Sequence, residues 1–286
     1  MLLIPDGDFI CHNVGQTTFS PMWKNNVPDT EEVDVVYKFL KAIKKYCLEY
    51  DADNVAFCWD SRQSKRKRIF PGYKIRGPED PTPEEIRRKK SIKAQMKVLR
   101  TEVLPAIGFT NIFHQIGHEG DDVMASVVFG NQDDDCLMIT ADKDMLQLLS
   151  MTDMYSPSSK IYYTEEVFQN EYGIRPSQWM SVKQIGGCTS DKVPGVEGVA
   201  EGRAIAFITG KMKETSVFYN RILEADELIA RNAKLVNLPF EGTEQFPIEP
   251  NDFDMQDFME VCTEYGFVSF INELEDWEEL FYDQLA

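Results

Sequence analysis

Four short apolar runs in this chain are each followed closely by an acid, and that repetition constrains the fold more than any other feature. Leu2 to Ile4 leads through Pro5 to Asp6, and Val55 to Trp59 leads directly to Asp60. Cys136 to Ile139 leads through Thr140 and Ala141 to Asp142, and Thr110 to Ile116 leads towards Glu119. Apolar runs this short suit strands covered on both faces. Helical patterns lie between them. Val33, Val36, Leu40, Ile43 and Cys47 recur at three- and four-residue spacing. Thr82 and Glu85 form a Thr-x-x-Glu capping box with Pro83 at the first helical position, which predicts a helix that ends before Pro105. Val123 to Phe129 and Met145 to Leu149 are shorter candidates. The alternation predicts an α/β fold with a mainly parallel central sheet flanked by helices. Ligands of such sheets bind beyond the carboxyl ends of the strands, which is where the acids stand.

Beyond about Ile174 the texture changes. Pro176 to Ile185 reads as a helix, Gly186, Gly187, Gly195, Gly198 and Gly202 crowd a loop, and Ala204 to Ile208 reads as a second helix. This helix–loop–helix is expected to pack beside the sheet. Six scattered cysteines without a CxxC pair suit reduced thiols in a cytoplasm better than disulfides or a zinc site. With three histidines, a histidine-rich metal centre is disfavoured. No apolar run reaches the ~20 residues of a membrane span, and MLLIPDGD lacks a signal peptide's basic start.

The net charge of −18 conceals a strong polarity. Residues 62 to 100 hold 14 of the 30 Lys and Arg against four acids, so this segment is +10 and the remainder is −28. From Leu235 to Ala286 there are 14 acids and no Lys or Arg. The acidic stretch suits a solvated face, a face turned away from a polyanion, or a site for a basic partner, while Trp277, Phe281 and Tyr282 suggest that part of it packs on the body. The basic segment, with Arg66, Arg68, Arg87, Arg88, Lys89, Lys90 and Lys93, suits sequence-independent binding to phosphates.

A single D-x-D in a chain this acidic is weak evidence, but Asp6, Asp60, Glu119, Asp121, Asp122, Asp142, Asp144 and Asp191 follow several separate predicted elements. Converging carboxylates repel one another unless a cation joins them. Hard oxygen donors suit Mg²⁺ or Mn²⁺, and two such ions about 4 Å apart can cleave a phosphodiester. A glycosidase would need only two carboxyls. A polyanionic substrate fits the +10 segment better.

Five ordered blocks also resemble the flap endonuclease and phage 5′-exonuclease family, most closely its compact phage members. They are Asp6-Gly7 after Leu-Ile-Pro, Asp60 with Phe70-Pro71-Gly72-Tyr73-Lys74, Glu119-Gly120-Asp121-Asp122, Thr140-Ala141-Asp142-Lys143-Asp144, and Ser190-Asp191-Lys192-Val193-Pro194-Gly195-Val196-Glu197-Gly198. The resemblance implies a PIN-like nuclease domain over residues 1–175 with a basic helical arch at about 62–100. It further implies a helix–three-turn–helix DNA-binding module over 176–240, followed by an acidic C-terminal segment over 241–286. The implied activity is metal-dependent 5′-to-3′ exonuclease or flap endonuclease cleavage of DNA carrying a 5′ end or single-stranded flap. The implied setting is DNA replication by a cytoplasmic monomer, in the host cytoplasm if the chain is viral.

Carried over by position, Asp6, Asp60, Glu119, Asp121 and Asp142 form a first metal site, Asp122 adds to the cluster, and Asp144 and Asp191 belong to a second. Lys74 would contact the scissile phosphate, with Arg76 as the equivalent of the arch arginine. Tyr73 is a candidate for stacking on bases or, equally, for packing at the base of the arch, and Lys192, Gly195 and Gly198 are candidates for phosphate contact. Three departures qualify the transfer. Cys188 stands where the second site has another aspartate, so the expected count is one to two ions. Ala200 replaces the last loop glycine and weakens the case for a potassium site. Tyr73-Lys74-Ile75-Arg76 is one residue shorter than the arch signature. The alternative is a non-catalytic or weakly catalytic DNA-binding member with a degraded second site. An RNA-cleaving nuclease on a similar sheet fits the arch and glycine loop less well.

Overall fold

Every residue of β1 (Leu2–Pro5) is buried, and those four residues set the architecture. The computed structural model describes residues 1–16, 22–27, 31–61, 63–75, 80–132 and 135–285. β1 runs parallel to β2 (Asn54–Val55) on one side and, further along the chain, to a strand over Cys136–Ile139 on the other. β3 (Phe57–Trp59) continues directly from β2 and pairs in parallel with β4 (Ile112–His114). The Ala56 N–H donates to the Leu3 carbonyl and Asp6 bridges Cys58, so the β3–β4 pair extends the sheet beyond β2. Past β5 (Cys136–Ile139) come β6 (Asp153–Ser156), parallel, and β7 (Ile161–Tyr163), antiparallel. The mainly parallel sheet is as expected. The β6–β7 edge was not foreseen, because Asp153 to Tyr163 shows little apolar alternation.

Strand alternation divides the core in two. Leu3, Val55, Phe57, Leu137 and Ile139 join a cluster with Val36, Phe39, Leu40 and Ile43 of α2 (Asp34–Tyr50). Leu2, Ile4, Ala56, Cys58 and Met138 join the opposite cluster with Val123, Met124 and Val127. α1 (Gly7–Gln16) begins directly after Asp6. A Cβ on Gly7 would lie 2.7 Å from the Trp59 ring, so only glycine lets α1 start this close to β3.

The basic segment contributes α3 (Arg66–Ile69) and α4 (Pro83–Val98), and the Thr82–Glu85 capping box forms as its sequence indicates. α4 itself ends at Val98, before Pro105, but the helical path does not stop there. It continues through a π-turn at Leu99–Val103 into α5 (Leu104–Ile107). Pro105 has no N–H to donate back into the preceding turn, and the wider π-turn at Leu99–Val103 lies where that hydrogen bond is missing.

α6 (Gly120–Gly130) follows Glu119, and α7 (Glu165–Tyr172) leads to α8 (Trp179–Gly186). A two-residue hairpin, β8 (Gly187–Cys188) with β9 (Val193–Pro194), then precedes α9 (Glu201–Ile208), α10 (Val217–Leu223) and α11 (Asp226–Val236). The acidic stretch forms α12 (Met255–Tyr265), α13 (Val268–Asn272) and α14 (Leu274–Glu279). These helices are amphipathic. Phe258, Cys262, Phe270, Trp277 and Phe281 lie in the same cluster as β1 and α2, while the acids face outwards. Among the described residues no helix is long and apolar enough to cross a membrane.

Candidate metal centre

Asp6, Asp60 and Asp142 stand just past the ends of β1, β3 and β5, and Asp121 lies in the first turn of α6. The Thr140 hydroxyl donates to Asp6 Oδ2 at 3.1 Å and accepts the Asp142 N–H at 3.2 Å, tying the ends of neighbouring strands together. Asp6 Oδ1 accepts the Phe9 N–H at 2.9 Å. Asp60 Oδ1 accepts the Gly120 N–H at 2.6 Å, which joins β3 to the start of α6. Asp142 Oδ1 accepts the Asp144 N–H at 2.7 Å. Asp8 accepts the Asp60 N–H at 2.8 Å and so helps fix the Asp60 backbone.

Crowding is visible in the proton affinities. Burial, then Asp60 and Asp8, push Asp6 up to about 8. Burial and Asp60 push Asp8 to about 7. Burial, then Asp144 and Asp191, push Asp142 to about 6. Asp121 is held well above the carboxylate range by burial and then by Asp142, Asp6 and Asp60. Asp60 is raised by burial and by Glu119 and Asp122. Among the described residues, none of Asp6, Asp60, Asp121 and Asp142 forms an ion pair. The four carboxylates raise one another's proton affinity, and hard oxygen donors that pair with no cation among the described residues have the chemistry of a Mg²⁺ or Mn²⁺ site. No three of them bring ligand atoms within 4.8 Å of one another, so an ion would have to draw them together.

Glu119 differs. Its Oε2 accepts the Lys74 ammonium and the Tyr73 hydroxyl, each at 2.9 Å. Burial opposes its charge, but Lys74 and Arg66 outweigh that and hold it below the usual range. Lys74, in the left-handed region at φ +47°, also lies 3.7 Å from Asp191.

A second cluster joins Asp144, Cys188 and Asp191, whose ligand atoms lie within 4.8 Å of one another. It does not fit a hard divalent ion. Cys188 Sγ donates to Asp144 Oδ2 at 3.4 Å, and burial and Asp144 push its thiol up to about 12. Lys183 Nζ is 2.9 Å from Asp144 Oδ1. Tyr73 donates to Asp191 at 3.0 Å. Lys183 was missed in the sequence because nothing in its neighbours marks it. Only the packing of α8 against the turn after β5 brings it to Asp144.

Several residues expected at the site or on DNA have structural partners instead. Asp122 is not among the open carboxylates. Its buried side chain takes both Arg66 guanidinium nitrogens at 2.6 and 2.7 Å, and it also accepts the Glu119 and Phe240 N–H groups. Arg66 is correspondingly 2% exposed, bonds the Leu235 carbonyl, and is corrected from a DNA contact to a packing element. Tyr73, 1% exposed, cannot stack on a base. Arg88 is held by Asp34, Glu32 and the Gly15 carbonyl, and Arg87 is paired with Glu32. Arg68, Lys89, Lys90, Lys93 and Lys192 are exposed. Gly195 is required by close approach, since a Cβ there would meet the Gly186 carbonyl at 2.2 Å. Gly198 takes a positive φ of 75°. Arg62 and Arg76 lie outside the described residues.

Residues 2–173 match the family described as 5′-3′ exonuclease, N-terminal resolvase-like domain. The thermostable DNA polymerase I of Thermus aquaticus is 31% identical over 206 residues, covering 71% of this chain and 23% of that protein. A 5′-3′ exonuclease of Halalkalibacterium halodurans is 29% identical over 186 residues, 62% of this chain and 57% of that protein. This chain therefore spans about a quarter of the polymerase and rather more than half of the exonuclease. In structure, the bacteriophage T5 D15 flap endonuclease, in a pseudo-enzyme–product complex with DNA and metal ions, superposes with a TM-score of 0.70 at 21% identity. That superposition covers 83% of this chain and 89% of the T5 protein.

Proposed function

The chain belongs to the 5′-3′ exonuclease family through its N-terminal resolvase-like domain, and on that premise we propose that it hydrolyses phosphodiester bonds of DNA from a 5′ end or at a 5′ flap. The observation that carries the proposal is the group of four carboxylates, Asp6, Asp60, Asp121 and Asp142, without an ion pair among the described residues, at the carboxyl ends of parallel strands and the start of α6 with Lys74 nearby. These four would hold a divalent ion, Mg²⁺ or Mn²⁺, which when bound supplies Lewis-acid polarisation of a phosphoryl oxygen and lowers the pKa of water. Thr140 and the Gly120 N–H fix the direction of Asp6 and Asp60 before any ligand arrives, which limits the reorganisation needed on binding.

Lys74 is the chain's own contribution to a phosphate. Burial disfavours its charge, but Glu119, Asp121 and Asp191 outweigh this and keep it protonated, so it presents a fixed ammonium beside the carboxylates. The exposed Lys89, Lys90 and Lys93 on α4, with Arg68 on α3, would give affinity for the DNA backbone without reading sequence. α8, the loop around Lys192 and Gly198, and α9 would grip the duplex part of the substrate. The family and the protein's charge polarity support action on DNA, and on this reading the chain works in DNA replication, as a monomer in the cytoplasm. The test is digestion of 5′-labelled duplex, nicked and flapped DNA with Mg²⁺ or Mn²⁺. Release of short 5′-terminal products is expected. Intact DNA with both ions at millimolar concentration overturns the proposal.

A further inference from the structure

The two acidic clusters differ in their charge balance. The first gathers Asp6, Asp60, Asp121 and Asp142 with no ion pair among the described residues. In the second, Asp144 faces Lys183 at 2.9 Å, and Asp191 receives the Tyr73 hydroxyl at 3.0 Å with Lys74 at 3.7 Å. Its third member is a thiol, already donating to Asp144 and 2.9 Å from the Ser190 hydroxyl. We infer that the Lys183 ammonium takes the place of a second divalent ion, so that this chain binds one ion per molecule, at the first cluster.

Three features hold Lys183 there. It lies in the last turn of α8, where the helix dipole favours a cation. Its ammonium sits 5.1 Å from the centre of the Trp179 ring. Trp179 is itself fully buried, and its indole N–H donates to the Lys143 carbonyl at 2.7 Å, beside Asp144 in sequence. A divalent ion entering the second cluster must displace this ammonium from Asp144 and then accept a sulfur donor. Mg²⁺ and Mn²⁺ favour oxygen, so the exchange gains little. A thiophilic ion meets a different obstacle. It would need the Cys188 thiolate, formed in a buried position beside two carboxylates.

The ion count rests on the metal-centre part of the proposed function but is read without DNA. The experiment titrates the whole protein with Mn²⁺ and follows the free ion by electron paramagnetic resonance, from micromolar to millimolar concentration. One equivalent is expected for the protein and none for Asp142→Ala. Lys183→Met combined with Cys188→Asp is expected to bind two, with near-ultraviolet circular dichroism confirming that it is folded. Two equivalents in the unaltered protein overturn the inference whether or not the double variant folds. A single equivalent in the folded double variant also overturns it, because the ammonium and thiol would not then be what excludes the second ion. Cd²⁺ uptake giving a thiolate charge-transfer band in the unaltered protein counts against it too. A chain that binds one Mn²⁺ but cleaves no DNA upholds the count and removes the nuclease reading.

Discussion

Replacing Asp122 by Ala separates two roles that the sequence could not distinguish. If Asp122 belongs to the ion cluster, the variant loses ion binding and keeps its stability. The structure argues for the reverse. The side chains of Arg66 and Asp122 are 3% and 0% exposed, and the carboxylate also accepts the Glu119 and Phe240 N–H groups. Breaking a buried pair by removing one partner costs about 3–5 kcal/mol, because a guanidinium is left buried without its counter-charge. Each stranded N–H adds about 1–3 kcal/mol, less where water enters the new space. A total of roughly 5 kcal/mol or more is a large part of the ~5–15 kcal/mol that holds a domain folded. At about 2–4 °C per kcal/mol, the thermal midpoint should fall by at least ~10 °C. Thermal and urea unfolding measure this, and Mn²⁺ titration well below the midpoint measures ion affinity, which should be little changed. Arg66→Met with Asp122→Leu should recover most of the loss, since an apolar pair needs no charge compensation. A midpoint within about 1 °C of the original, well short of the fall expected for a broken buried pair, would refute the structural role if ion binding were abolished.

Asp142→Ala should abolish cleavage while DNA binding, measured by fluorescence anisotropy, stays within a few-fold. Near-normal turnover would remove Asp142 from the chemistry. Lys90→Glu with Lys93→Glu should lower the log–log salt slope of binding by roughly 1.4–1.8, about 0.7–0.9 for each phosphate no longer neutralised. An unchanged slope would place that face of α4 away from DNA. Without divalent ions, stability should fall as pH rises from about 6.5 to about 8.5. Asp6 and Asp8 are raised to about 8 and about 7 in the folded chain, so it holds protons there that the unfolded chain has already released. Saturating Mg²⁺ should flatten the dependence, and a midpoint that rises over the same range without ions would contradict the crowding.

The strands and their terminal acids were legible because a doubly covered parallel strand is an unbroken apolar run, and because a strand's end is where the chain can turn a side chain into the cleft. The α4 start was legible because Thr82, Pro83 and Glu85 act locally. Pairings between distant residues were not legible. Arg66 and Arg88 read as members of a basic segment, and only tertiary packing reveals that Asp122 and Asp34 neutralise them. Tyr73 left stacking on a base and packing at the arch base equally open, and its burial decides for packing. Lys183 was hidden in the opposite sense, an ordinary helix lysine until α8 is laid against Asp144. The acidic C-terminal stretch was misleading in composition alone. Its apolar residues recur at helical spacing and belong to the oldest part of the core in chain order, beside β1 and α2.

That last arrangement bears on how the protein is made. Aromatic contacts run from Phe39 to Phe57, from Phe57 to Phe109, and from Phe109 to Phe253 and Phe281. About 200 residues are synthesised between Phe57 and Phe253, which at roughly 5–20 residues per second takes about 10–40 s. For that interval on the ribosome the β1–α2 face waits without its natural cover, exposed to chaperones and to aggregation. The acids on the outside of α12 to α14 then arrive together with the apolar residues that close the face, so the same late segment that seals the core also gives the newborn chain much of the negative charge that keeps its copies apart.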